Sequence, residues 1–131
     1  MSSRPQAGPT KVINNGDMSH ATITSIPTII PSMSIIGYGF SWAGTAPIGG
    51  IQIQVSNDYV QNPDGTAKVA GNWTTISFNL AGTIVTTLPV SGATGSGFAN
   101  IDAMGAYAIR ALYTRTSGTG TLQAVVTSKV A

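Results

Sequence analysis

The chain has 131 residues, with six basic and four acidic side chains, 16 glycines and no cysteine. The missing cysteines exclude disulfides and thiolate metal ligands, and the length favours a single domain. Glutamate is absent, while threonine, valine and isoleucine are frequent, a balance that suits half-buried strands better than exposed helical faces. The composition therefore predicts an all-β protein.

The positive charge of the chain is small and dispersed. The formal net charge is +2, and the basic residues are scattered at Arg4, Lys11, Lys68, Arg110, Arg115 and Lys129. Phosphate backbones are bound by several positive charges gathered on one face, so we expect no nucleic-acid partner. The N-terminus lacks the apolar core of a signal peptide and no apolar run reaches about 18 residues, so we expect no membrane partner.

The N-terminal segment is predicted to be an extended arm. Residues 1–10 contain two prolines and almost no apolar side chain to bury. A short strand at Lys11–Asn14 precedes a turn signal at residues 15–17. We therefore assign an arm and turn to residues 1–18 and a β-sandwich domain to residues 19–131, with the arm expected to lie on a partner.

Strand patterns then follow one another. Ala21–Ile26 and Thr28–Ile30 flank Pro27, which lacks a ladder donor and indicates a sheet edge or a strand switch. Ser34–Trp42 is the clearest strand. Its alternation assigns to the core Ile36, Tyr38, Phe40 and Trp42. The opposite face carries Gly37 and Gly39, which predict a flat surface approached closely by another backbone.

The middle of the chain alternates between strands and turns. Ile51, Ile53 and Val55 alternate with glutamines, as in a strand with one wet face. Residues 57–71 read as a loop with a turn at 62–65. Two further strands are predicted at Trp73–Leu80 and Thr83–Val90. A flexible connector at Gly92–Gly97 then leads to a short strand at Phe98–Ile101.

The C-terminal segment is predicted to be a hairpin. Ala106–Thr116 and Thr121–Val130 are joined by Ser117-Gly118-Thr119-Gly120. Its core face is predicted to carry Tyr107, Ile109, Ala111 and Tyr113, opposite Leu122, Ala124 and Val126. Eight or nine strands with glycine and proline turns predict a single β-sandwich, jelly-roll-like, with an extended N-terminal arm.

Few residues are available for catalysis or metal binding. His20 is the only histidine, Asp17 lies near it, and no Gly-x-Ser-x-Gly elbow accompanies them. All four acids (Asp17, Asp58, Asp64 and Asp102) fall in or beside turns, where aspartate bonds the local backbone. We expect no enzyme activity, no catalytic residue, no cofactor and no metal. A weak calcium alternative rests on Asn57, Asp58, Asn62 and Asp64 in one loop.

Aromatic side chains and a glycine-rich stretch were the other candidates for binding. Gly92–Gly97 lacks the lysine and the helix of a phosphate loop. Trp42, Tyr59, Trp73 and Tyr113 could stack on sugars, yet only Tyr59 is predicted to be free of the core.

Three segments resemble a group of small virion structural proteins of tailed phages: Ile51–Asp58 (IQIQVSND), Gly71–Ile76 (GNWTTI) and Ala106–Leu122 (AYAIRALYTRTSGTGTL). The resemblance covers about residues 20–130, and it implies an all-β fold and a non-catalytic role as a capsid decoration, head-fibre or tail component.

The expected function is therefore that of a structural virion protein, present in many copies and assembled in the host cytoplasm, with a decoration-type role favoured. Its expected partners are further copies of the chain and other virion proteins, such as a major capsid or tail protein. The alternative is a carbohydrate-binding or adhesion module, which needs an exposed row of aromatic side chains.

Overall fold

A computed structural model describes residues 6–30, 34–101 and 106–130, which form twelve strands. The all-β class is confirmed, and no helix in the described part is long and apolar enough to cross a membrane. The strands are β1 (Gln6–Asp17), β2 (Thr22–Thr24), β3 (Thr28–Ile29), β4 (Ser34–Ser56), β5 (Val60–Gln61), β6 (Ala67–Val69), β7 (Thr74–Ile76), β8 (Phe78–Leu80), β9 (Thr83–Val85), β10 (Leu88–Val90), β11 (Thr94–Ile101) and β12 (Ala108–Val130).

The centre of the fold is an antiparallel ribbon made of β4 and β12, each 23 residues long. Pairing runs from Ser34 opposite Val130 to Ser56 opposite Ala108. The predicted C-terminal hairpin is therefore wrong, because both of its arms belong to β12 and both pair with β4 instead of with each other.

A double irregularity replaces the predicted hairpin turn. The β4–β12 register shifts between Arg115 and Ser117 and again between Ser117 and Thr119. Gly118 has a φ of 79°, and Ala46 on β4 has a φ of 46°. A Cβ on Gly118 would collide with the carbonyl oxygen of Ala46. The glycine serves a bulge that bends both strands together, rather than a chain reversal.

Both halves of the ribbon bury the same face. On β4 the core side chains occupy even positions from Ile36 to Trp42 but odd positions at Ile51 and Ile53. An extra residue in a strand exchanges the two faces of that strand. The register shifts near Gly118 therefore keep the apolar side chains of both halves on the same side of the ribbon. One buried cluster contains side chains from both halves, which gives the sandwich-like arrangement.

The other strands extend the two halves. The main order is β1-β12-β4-β11-β8-β9, in which the first half of β4 and the second half of β12 are central. In the other half, β2 and β3 pair with β12, while β7 and β10 pair with β4. Pro27 separates β2 from β3 at the outer side of β12, as predicted for an edge.

The described part of the predicted arm is a strand of the domain. β1 pairs with β12 of the same chain, from Gln6 opposite Lys129 to Asp17 opposite Thr121. Residues 6–17, which lie within the predicted arm and turn, thus belong to the sheet, because main-chain pairing needs no apolar side chains. The first half of the predicted arm, residues 1–5, lies outside the described residues.

The predicted connector Gly92–Gly97 is also wrong, since β11 begins at Thr94 and pairs with β4 along its whole length. Gly95 faces the Trp42 ring, where a Cβ would meet indole atoms, and a Cβ on Gly97 would lie 2.8 Å from Leu88. The glycines give room for large core side chains, so a stretch that resembles a loop in composition is a strand.

Most core predictions are confirmed, with one exception. Every predicted core side chain of Ser34–Trp42 is buried, as are Ile109, Ala111, Tyr113, Leu122, Ala124 and Val126. Tyr107 is 47% exposed, which contradicts its predicted place in the core. The strand begins only at Ala108, and the Tyr107 N–H is shared between Asn57 Oδ1 at 2.9 Å and the Ser56 carbonyl oxygen at 3.2 Å.

The strand count differs from the predicted eight or nine for local reasons. Trp73–Leu80 is divided at Ser77, and Thr83–Val90 is divided after Val85. The loop at residues 57–71 contains the small β5–β6 ribbon, whose turn is confirmed by a 2.9 Å bond from Gly65 N to Asn62 O.

We expect Gly118→Ala to destabilise the protein strongly. A side chain at a positive φ costs about 1–3 kcal/mol, and the collision with the Ala46 carbonyl adds to that cost. Gly39→Ala is the matched control, because an added Cβ there meets nothing within 4 Å. Thermal melts followed by circular dichroism should show a large drop in melting temperature only for Gly118→Ala. Equal melting temperatures for the two variants would contradict the bulge described at Gly118.

We expect Tyr113→Ala to lower the free energy of unfolding by about 3–5 kcal/mol, as is usual for removing a large buried side chain. Tyr113 is fully buried, whereas Tyr107 on the same segment is 47% exposed. Tyr107→Ala should therefore change stability by less than about 1 kcal/mol. Urea unfolding of both variants tests the register, and a larger effect at Tyr107 would show it to be inverted.

Candidate assembly surface

The single histidine takes part in a local turn. Asp17 Oδ1 accepts bonds from Ser19 N at 2.9 Å and Ser19 Oγ at 2.7 Å, while His20 Nε2 lies 3.6 Å from Asp17 Oδ2. The Ser19 hydroxyl, more than its N–H, holds the pKa of Asp17 below its ordinary value. The pair is exposed, and its carboxylate closes a turn.

The oxygen-rich loop at residues 57–72 uses its carboxylates in separate turns. Asp58 accepts bonds from Asn72 N at 2.7 Å, Asn72 Nδ2 at 2.8 Å and Ser56 Oγ at 2.8 Å. Asp64 accepts bonds from Thr66 N at 3.0 Å and Thr66 Oγ1 at 2.6 Å.

These contacts organise the loop. Asn57 Oδ1, another of the predicted calcium ligands, accepts from the Tyr107 N–H. Within residues 6–30, 34–101 and 106–130, no three His, Cys, Asp or Glu side chains are grouped so that they could hold a metal ion. Asp102 lies outside those ranges.

The four candidate aromatic side chains do not form an exposed row. Trp42 and Tyr113 are buried, as predicted. Tyr59 is 3% exposed, so the prediction that it is free is wrong. Its ring centre lies 5.5 Å from that of Trp73, and the Arg110 guanidinium lies 4.2 Å over the Trp73 ring. Packing between these groups takes up the ring surface that sugars would need.

A broad surface that the sequence patterns did not reveal lies on the outer face of the main sheet. Cross-strand partners place Thr127, Gly37, Asn100, Asn79 and Ile84 in one row from β12 to β9. Residues two positions away on each strand share this face. We name it the assembly face and define it by Ile35, Gly37, Gly39, Ser41, Asn79, Ile84, Ser96, Phe98, Asn100, Gln123, Val125 and Thr127.

None of the residues that define the assembly face carries a charge. Two positive residues share the same outer face on its β1–β12 side, because Lys11 pairs with Val125 and Lys129 takes the register position opposite Ile35. An isolated soluble surface usually mixes charges of both signs, so the part of the face from β4 to β9, which carries no charged residue, is unusual.

Apolar side chains project from this neutral face. Phe98 is 59% exposed, Ile84 is 67% exposed and Ile35 is 43% exposed. Between them lie two adjoining hollows of about 400 and 380 Å³, both lined in part by Ile35 and Asn100. Interfaces between proteins are depleted in charge and enriched in aromatic residues at their centre.

The glycines on β4 explain why the surface is shallow. A Cβ on Gly37 would lie 2.9 Å from Phe98 Cζ, so the Phe98 ring covers this glycine. Gly39 has open space above it. The sequence correctly predicted a flat face here, but the group approaching Gly37 is a side chain from β11 rather than another backbone.

The assembly face ends at a short edge strand. Among the described residues β9 pairs only with β8, where Phe78 lies opposite Val85, Asn79 opposite Ile84 and Leu80 opposite Thr83. This edge has no charged or proline residue, two common features that protect free strands from pairing with other chains. Main-chain groups at the edge and apolar side chains on the face are thus both available to another protein.

We expect Asp58→Asn to lose stability at neutral pH and to match the wild type in acid. The Asn72 N–H, followed by the Ser56 hydroxyl and the Asn72 amide, lowers the pKa of Asp58 in the folded protein. A lowered folded pKa stabilises the fold above the unfolded value, and that contribution is lost as pH falls through the folded pKa.

Melting curves between pH 7 and pH 2 measure this effect. Lys68→Gln, in the same loop region, should give a difference from the wild type that does not change over this range. An Asp58→Asn deficit that persists undiminished at the acid end would contradict the role of the carboxylate.

Comparison with known proteins gives a likeness at the level of the fold. A scan against protein-family models gives no match. A sequence search of curated proteins gives no match either. Among solved structures, the chain is similar to the SPBc2 prophage-derived protein YomS, with a TM-score of 0.63 and 8% sequence identity over 97% of this chain and 96% of that one. The fold is therefore one that a prophage-derived protein also adopts.

Proposed function

We propose that this chain is a non-enzymatic structural protein of a tailed-phage particle, present in several copies and held to its neighbours through the assembly face. The single observation that carries this proposal is the outer face of the main sheet from β4 to β9, which has no charged residue and from which Phe98, Ile84 and Ile35 project. Such a face is more favourable in contact with protein than with water.

The composition of the face favours a protein partner. Asn100 offers a donor and an acceptor to a partner's polar groups, and Asn79 offers its amide N–H groups because its Oδ1 accepts from Gly82 N. The three apolar side chains supply area to bury. Each contact of this size is weak alone, but copies arranged on a lattice add their contacts.

Two further points support a role on a phage particle. The segments Ile51–Asp58, Gly71–Ile76 and Ala106–Leu122 resemble small virion proteins of tailed phages. The fold is similar to that of a prophage-derived protein along nearly the whole chain. Within this role we favour a capsid decoration, in which the flat face lies against the shell and the opposite side of the sandwich points outward.

The carbohydrate-binding alternative has less support. A sugar platform needs open aromatic faces, whereas Tyr59 is buried and Trp73 is covered by Arg110. Tyr107 and Phe98 are the exposed aromatics, at 47% and 59%. Phe98 belongs to the assembly face, so we assign it to protein contact.

We expect Phe98→Asp to reduce incorporation of the protein into phage particles by about tenfold or more, because a desolvated and unpaired charge costs several kcal/mol. Phe98 lies on the surface, so the variant should keep its fold. Val69→Asp is the matched control, since Val69 is 46% exposed on the separate β5–β6 ribbon. Quantitative mass spectrometry of purified particles gives the readout, with circular dichroism as the folding control.

Two outcomes would contradict the proposal. Equal incorporation of Phe98→Asp and Val69→Asp would show that the assembly face is not the contact. Purified particles that lack the wild-type chain altogether would reject the virion role, and glycan binding by the free protein would then favour the adhesion alternative.

A further inference from the structure

On the outer side of the second half of the ribbon, Arg110 is held in a fixed orientation. Its Nε donates to Gln54 Oε1 at 2.9 Å across the β4–β12 pairing. Its guanidinium lies 4.2 Å over the Trp73 ring. Trp73 is fixed in turn, because its Nε1 donates to Ala70 O at 2.9 Å and its ring packs on Tyr59.

The outer edge of this guanidinium has no hydrogen-bond partner in the part of the chain that the structure describes. Arg110 makes no hydrogen bond through its two terminal nitrogens to any of the described residues. Arginine presents these N–H groups as a planar fork that fits two oxygens of one ligand. Partial burial, which lowers the pKa of Arg110, makes an unanswered charge here more costly than on an open surface.

The described carboxylates of the chain are all engaged elsewhere. Asp17, Asp58 and Asp64 each accept bonds within their own turns. The contact between His20 and Asp17 is the only ion pair among residues 6–30, 34–101 and 106–130. A second copy of the chain therefore offers Arg110, from these residues, only carboxylates that already accept bonds in their own turns.

We propose that Arg110, positioned by Gln54 and Trp73, receives the carboxylate of an Asp or Glu side chain from a different protein. A single fork suits a single carboxylate, whereas a nucleic acid needs several positive charges on one face. An acidic sugar would gain little from Trp73, because Arg110 already covers that ring. The site is on the outer face of the second half of the ribbon, separate from the assembly face.

This inference rests on the proposed function for the kind of partner, a neighbouring protein in the particle, but its test uses only the isolated full chain. The probe is a capped Gly-Asp-Gly peptide, and the matched control peptide is capped Gly-Asn-Gly. Proton–nitrogen NMR follows the Trp73 indole N–H and the Gln54 side-chain amide, which adjoin Arg110. A chain that does not bind the peptide would leave the particle-incorporation result for Phe98→Asp unchanged. A failed incorporation prediction would likewise leave the peptide-binding result unchanged.

We expect the aspartate peptide to shift both resonances saturably and the asparagine peptide to leave them unchanged. Arg110→Lys keeps the charge but loses the fork, and it should weaken binding by about tenfold. Lys68→Gln, which changes a lysine on β6, should bind the peptide as the wild type does.

Four results would overturn the proposal. The first is that the aspartate peptide shifts neither the Trp73 nor the Gln54 resonance, and the second is that Arg110→Lys binds the peptide as tightly as the wild type. The third is tighter binding of inorganic phosphate than of the peptide at equal ionic strength. The fourth is a gain of peptide binding in Asp102→Asn, which would show that the chain's own Asp102 occupies the fork.

Discussion

The continuous pairing of β4 with β12 is the interaction on which the rest of the structure depends. Each strand is 23 residues long, and every other strand except the β5–β6 ribbon is attached to this pair directly or through β11. A flat ribbon of this length would expose both faces along its whole extent. The bulges opposite Ala46 bend both strands together, and the bend lets one face of the ribbon bury itself.

The same bend creates two outer faces of different chemistry. On the first half of β4 and across β11, β8 and β9, the outer residues are glycine, serine, asparagine, isoleucine and phenylalanine, without charge. Beside its second half they include Gln52 and Gln54, and Arg110 on β12. The first face suits contact with protein through apolar and amide groups, and the second suits a charged ligand. Both roles remain proposals, and they assign different surfaces to different neighbours.

The few acidic residues in the described part of the chain organise its turns. Asp17, Asp58 and Asp64 accept from hydroxyl and N–H groups within two residues or across one loop. These bonds hold the pKa of each carboxyl below its ordinary value. These negative charges are thus used within turns, and none of them lies on the outer face of the main sheet from β4 to β9.

The sequence by itself determined the fold class, the core face of Ser34–Trp42 and the turn at residues 62–65, because alternation and turn chemistry are local properties. Only the tertiary structure decided that Gly118 makes a bulge, that Gly95 and Gly97 lie in a strand over Trp42 and Leu88, and that Phe98 covers Gly37. A glycine permits a turn, a bulge and a close approach equally well. Which of the three occurs depends on the strand that pairs beside it, and that partner is distant in sequence.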